Sequence, residues 1–173
     1  TTAADGESII IIHRPLATGE DEGRLRIVRM GLDGDTLVDR DFVYRPRATR
    51  RAELDETYRA MAGRLARNPR TAASPAQAEA AVRASLPAPR FYPPVTEVIA
   101  GDDGSIWLRR KTPMRGREEW QVFDAQGEIL GRIQLPEGLQ VHGANGREVW
   151  GVTRSDLDVA FVEIHALDRG AGL

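Results

Sequence analysis

There is no cysteine in this 173-residue chain. Disulfides, thiolate catalysis and Cys-ligated zinc or iron–sulfur centres are thereby excluded. The compartment is not fixed, because a disulfide-free chain is stable in either redox environment. Lysine is almost missing too: Lys111 is the only one, and arginine carries the remaining positive charge. With abundant alanine and glycine, that bias matches a GC-rich coding sequence more than a chosen chemistry, so arginine patches count for less. No apolar run approaches the ~20 residues of a membrane-spanning helix. The longest, Ile9 to Ile12, has the length of a strand. The formal net charge is only −2, which gives no reason to expect nucleic acid or an anionic membrane as partner. No signal peptide is visible, and the opening "TTAADG" without methionine leads us to expect a processed chain or a piece of a longer one. What is present, 41% hydrophobic and 29% charged residues, is the make-up of a globular protein long enough for one core.

The positive content is a repeat. Gly6, Gly104 and Gly146 each follow Asp or Asn and each precede an apolar run, "SIIII", "SIWL" and "EVWGV". Asx-Gly before such a run predicts a hairpin of type I′, which needs positive φ at both central residues. A second strand and a second glycine turn follow each time, the glycines being Gly34, Gly127 and Gly170. A closing strand ending in proline follows twice, "TLVDRDFVYRP" and "EILGRIQLP"; the third copy stops before one. Gly104 and Gly146 lie 42 residues apart, and four short strands at that period point to β-propeller blades. A sandwich or barrel is the competing expectation. An inner blade strand is covered on both faces and reads as continuously apolar, which is the reading for Ile9 to Ile12. "RLRIVRM" alternates, as an outer strand should. Trp107 and Trp150, three and four residues after their glycines, are expected to pack between blades.

Residues 49–92 break the pattern. Leu54, Tyr58, Met61 and Leu65 form one stripe of an amphipathic helix, expected to end at Asn68-Pro69 and to lie on the blades. "SPAQ" gives a second helix with Ser74 as N-cap, Pro75 at its first position and Gln77 completing a capping box; Pro87 should stop it. Eight arginines face four acids in this insertion, so a basic helical hairpin that docks an anionic partner is an alternative to a solvated face. "APRFYPPV" should run extended, with Phe91 and Tyr92 clamping helices to sheet. The expected organisation is therefore a first blade at 1–48, incomplete at its N-terminal strand, and a helical insertion at 49–92. A second blade follows at 93–138 and a last blade lacking its outer strand at 139–173.

The motifs "FYPPVTEVIAGDDGSIWLRR", "WQVFDAQGEILGRIQLPEGLQV" and "REVWGVTRSDLDVAFVEIHAL" resemble the closing blades of bacterial six-bladed, TolB-like β-propellers. The resemblance covers about 93–169 well and 5–48 moderately. It implies a scaffold that is commonly extracytoplasmic, with functions from protein binding to lactone hydrolysis, and it carries no catalytic residues over. Two complete blades and partial ones do not close a ring of about 4–8, so the remaining blades are expected in the same longer chain.

Antiparallel order puts the tight glycine turns at one end and the long connections at the other. Binding residues gather on such loops, and the candidates there are Arg90, Tyr92, Arg115, Arg154, Asp156 and Asp158. His142, on an inner strand, is placed to face a central channel. Asp156 and Asp158 with backbone carbonyls would suit calcium, against the alternative of an Asx-stabilised turn. His13 and His165 read as structural, the acidic loop Glu20, Asp21, Glu22 as solvated, and "DGDT" at 33–36 as a turn. There is no G-x-S-x-G, phosphate loop or H-E-x-x-H. The expectation is a non-enzymatic segment that binds a protein or small ligand through its long-loop end. The alternatives are a fragment of a metal-dependent propeller hydrolase or lyase, and an interaction module working through the insertion.

Overall fold

Short apolar runs between Asx-Gly turns become strands because the turns reverse the chain before any run is long enough for a helix. The computed structural model describes residues 1, 6–15, 17, 19–67, 74–86, 88–110 and 117–167. Three antiparallel sheets carry the fold. The first comprises β1 (Ser8–His13), β2 (Gly23–Gly31) and β3 (Thr36–Tyr44). The helices α1 (Arg51–Ala66) and α2 (Pro75–Ser85) come next in the chain. The middle sheet holds β4 (Glu97–Ala100), β5 (Ile106–Arg110), β6 (Arg117–Phe123) and β7 (Ile129–Pro136), and the last has β8 (Gln140–Ala144), β9 (Glu148–Arg154) and β10 (Ala160–Ala166). Within each sheet the strands lie in sequence order. Trp107 on β5 and Trp150 on β9 thus belong to different sheets.

The sheets stack face to face, and β5 holds the stack together. Its Ile106, Trp107 and Leu108 are 0%, 0% and 1% exposed. Successive strand residues point to opposite faces, so a run buried throughout must be covered on both. Ile106 and Leu108, with Phe123, pack on Ile10, Leu25 and Ile27 of the first sheet. Trp107, with Trp120 and Val122, packs on Val141, Ala144 and Val149 of the last. Phe42 and Phe123 add a tilted aromatic pair across the first junction, with centroids 5.0 Å apart.

The isoleucine run behaves differently from the expectation. Ile10 is buried but Ile9 and Ile11 are 41% and 45% exposed, because β1 sits in a sheet covered on one face only. "RLRIVRM" alternates as expected, with Leu25 and Ile27 inward and Arg24 and Arg26 outward. Trp150 also departs. It follows its glycine by one residue more than Trp107 does, and a one-residue offset turns a side chain to the other face. Val149 takes the inward position, fully buried, while Trp150 lies half-buried on the outward face over Gly143.

The turns differ in type. Gly104 N–H donates to Gly101 O at 3.0 Å and Gly101 N–H to Ser105 O at 2.7 Å, with only Gly104 at positive φ (81°). This is a type I turn closed by a left-handed glycine, in place of type I′. Residues 31–35 and 124–128 repeat the pattern around Gly34 and Gly127. These turns also join sheets. Asp103 accepts Gly146 N–H at 2.6 Å and Ser105 Oγ–H at 2.5 Å, and Trp107 Nε1 donates to Ser105 Oγ at 2.9 Å. Burial works against the charged Asp103, but the hydrogen bonds from Ser105 and Gly146 outweigh it and hold the carboxyl below its ordinary value. At Gly127 a Cβ would come within 2.7 Å of Val38 in the first sheet, so the missing side chain permits that approach.

The helices pack on each other more than on the sheets. Tyr58 and Ala62 of α1 and Ala78 of α2 are buried, and Tyr58 Oη–H donates to Leu86 O at 3.1 Å. Met61 stays 41% exposed, so the expected laying of the stripe on the blades is not what forms. The reason is local: α2 offers Ala78 and the C-terminal turn to the same stripe at short chain separation. Ser74, Pro75 and Gln77 form the expected capping box. Asn68, Pro69 and Pro87 lie outside the described residues, as does Gly170.

The two tryptophans give a direct test of the stacking. Trp107→Ala should lower stability by about 3–5 kcal/mol and Trp150→Ala by roughly 1–2 kcal/mol, measured by urea unfolding. Equal losses would contradict the burial of β5 on both faces.

Candidate binding site

The long connections leave the sheets at one end, as antiparallel order requires. Residues 45–96 leave and re-enter there through a short two-strand neck. Tyr92 N–H donates to Arg47 O at 2.9 Å, Thr49 N–H to Arg90 O at 3.0 Å, and Ala48 pairs antiparallel with Phe91. The neck is where the hairpin is fastened. Arg47 Nη2 donates to both Glu53 oxygens at 2.7 and 3.0 Å, its guanidinium lies 4.7 Å from the Tyr92 ring centroid, and the Tyr92 hydroxyl donates to Glu53. The Tyr92 hydrogen bond, opposed by partial burial and supported by the Arg47 charge, holds the Glu53 carboxyl below its ordinary value. Burial, followed by that same bond, pushes the Tyr92 hydroxyl up.

Beside the neck lie two clefts that share Tyr44 and Pro94. The larger, about 360 Å³, opens between the first and middle sheets. Its apolar wall is built from Leu25, Phe42, Val95, Leu108 and Phe123, and Arg45, Arg110, Gln121 and Arg132 stand around it. Residue parity explains this set. Phe42 and Tyr44 project inward from β3, and Leu108 and Arg110 share the facing side of β5. The smaller cleft, about 270 Å³, lies among Arg14, Pro15, Arg90, Phe91 and Tyr92. Arg14 donates to Val95 O, which ties the β1–β2 connection to the strand entering β4.

Of the seven residues selected from sequence, the structure brings Arg90 and Tyr92 together in the smaller cleft. Arg90 pairs with exposed Glu20 at 3.4 Å and lies over Phe91. Arg115 lies outside the described residues. Arg154, Asp156 and Asp158 sit elsewhere, in a tight turn and not on a long loop. Ser155 N–H donates to Val159 O and Asp158 N–H to Ser155 O, and Asp158 at φ 60° takes the place glycine holds in the other turns. Its carboxylate accepts from Arg154 at 3.0 Å, so that group is already engaged. His142 is exposed beside a bulge in β8. Among the described residues no three His, Asp or Glu side chains converge as a metal set. His165 pairs with Glu163 at 3.0 Å on the edge strand.

Sequence reading missed Tyr44, Arg45, Arg110 and Arg132. The signal was present for two of them: Tyr44 and Arg110 follow the inward parity of their strands. Arg45 and Arg132 carried none, because their role depends on how two sheets meet. In comparisons with protein-family models, curated proteins and solved structures, nothing matches this chain.

The neck supplies a pH test. A carboxyl held below its ordinary value stabilises the folded form above that value and stops doing so as pH falls through its folded value. Amide exchange at Thr49 and Tyr92 should therefore accelerate relative to the sheets below the ordinary carboxylate range. Glu53→Gln should remove the difference between acid and neutral pH. Unchanged protection of both amides in acid would refute the role given to Glu53.

Proposed function

We propose that this chain is a run of propeller-type blades, of the TolB-like kind, acting as a non-enzymatic binding segment outside the cytoplasm. Its ligand is a small molecule or an extended peptide, held in the cleft between the first and middle sheets. The observation that carries this reading is that cleft: about 360 Å³, apolar-walled, with polar groups around it, and adjoining the end where the long connections gather. Ligand sites have this make-up and this position on rigid sheet scaffolds. The blade assignment is supported by strands in sequence order within each sheet, sheet-on-sheet packing through β5, and turns that link one sheet to the next. The outward faces bearing Ile9 and Ile11, and Val162 and Ile164, are where further blades of a longer chain would stack. The extracytoplasmic placement rests on the resemblance alone.

The test is amide chemical-shift mapping of the full chain against a panel of small ligands and extended peptides of both charge signs. Binders should perturb residues 42–45, 90–95 and 108–110 and leave 101–105 and 145–148 unmoved. Perturbations confined to the tight-turn end would overturn the assignment.

A further inference from the structure

The two clefts beside Tyr44 and Pro94 have a charge composition unlike the rest of the chain. We infer that this site selects a small amphipathic carboxylate, an apolar chain or ring that ends in one negative charge. The inference rests on the cleft-binding reading above and adds the ligand class.

Among the described residues, Arg14, Arg45, Arg90, Arg110 and Arg132 line the two clefts and no Asp or Glu does, in a chain whose net charge is −2. An arginine-rich composition does not by itself give this segregation. Away from the clefts, Arg26, Arg47, Arg83 and Arg109 each meet a carboxylate within 3.1 Å, while Arg51, Arg59 and Arg64 of α1 meet none among the described residues, so it is the acid-free lining that sets the clefts apart. Within them, Arg110 reaches Glu119 only at 3.6 Å and Arg90 reaches exposed Glu20 at 3.4 Å. The Arg45 and Arg132 guanidinium groups make no hydrogen bond or ion pair with any described residue.

These two guanidinium groups border an apolar wall that includes Phe42, Leu108 and Phe123. A guanidinium beside apolar surface attracts an anion more strongly than one in open water, because the local dielectric is lower. Its planar fork matches a carboxylate in two-point geometry. A neutral amphiphile would use the wall and leave the forks to water. A cationic one would be repelled by five like charges. The volumes, about 360 and 270 Å³, suit a compact ligand rather than a folded partner.

Isothermal titration calorimetry on the full chain tests this with decanoate and decylamine below their micelle concentrations and decanol below its solubility limit. Decanoate should bind at least about tenfold more tightly than decanol, the order expected for a charge-assisted contact, and decylamine should not bind. Arg45→Gln and Arg132→Gln should each weaken decanoate about tenfold and leave decanol unchanged, whereas Arg154→Gln in the last sheet should change neither. Circular dichroism and unfolding midpoints check that the variants, which alter exposed side chains, remain folded. Equal binding of decanoate and decanol, or full decanoate affinity in both glutamine variants, overturns the inference. If decanoate fails to bind while shift mapping finds a peptide or another ligand in the cleft, the carboxylate class falls and the cleft reading stands. If no ligand perturbs the cleft, both fall.

Discussion

Burial of β5 on both faces is the constraint from which the rest follows. A strand whose Ile106, Trp107 and Leu108 are all removed from water needs a sheet on each side, and the first and last sheets supply one each. Because adjacent residues serve opposite junctions, the two cores alternate along a single backbone. Trp107 and Leu108 are neighbours in sequence yet belong to different clusters. A change at either position is felt first at its own junction, and the shared backbone is what links the two.

The junctions are not uniform along their length. Near the turns, the absent Cβ at Gly127 lets the first sheet approach the middle one to contact distance, while that at Gly104 makes room for Ala125 of the adjoining turn, and the Asp103 hydrogen bond from Gly146 holds the middle sheet to the last. At the other end, Tyr44 and Pro94 stand between the sheets and leave clefts on either side. Close contact at one end is compatible with open space at the other because each sheet moves as a unit once its core is packed. The same face of β5 that contributes Leu108 to the core brings Arg110 to the cleft two residues later.

Local chemistry was legible in the sequence. The strand count within each unit, the glycine positions and the capping box at Ser74 all follow from short-range rules, and the sheets form as those rules expect. Where the reading went astray, a tertiary relation decided the outcome. Type I′ geometry gave way to a type I turn because one left-handed glycine is enough when the loop is one residue longer. The stripe at Tyr58 found α2 before it found a sheet. "RSDLD" read as a loop because an aspartate occupies the left-handed position that glycine marks elsewhere. The cleft was half legible: Arg90 and Tyr92 stood on a long connection, whereas Arg45 and Arg132 gain meaning only from the meeting of β3 with β7 across a sheet junction.

The neck formed by residues 47–49 and 90–92 has a consequence for how such a chain tolerates change. Its two strands exchange backbone hydrogen bonds around the Ala48–Phe91 pair, which sets the excursion's ends roughly 5 Å apart. A module whose termini match that spacing can be spliced there without altering sheet register, provided it supplies an acid where Glu53 of α1 meets Arg47 and Tyr92. The hairpin is in this sense a replaceable graft: its length and composition can drift, or be swapped by design for a reporter domain, while the scaffold beneath keeps its shape.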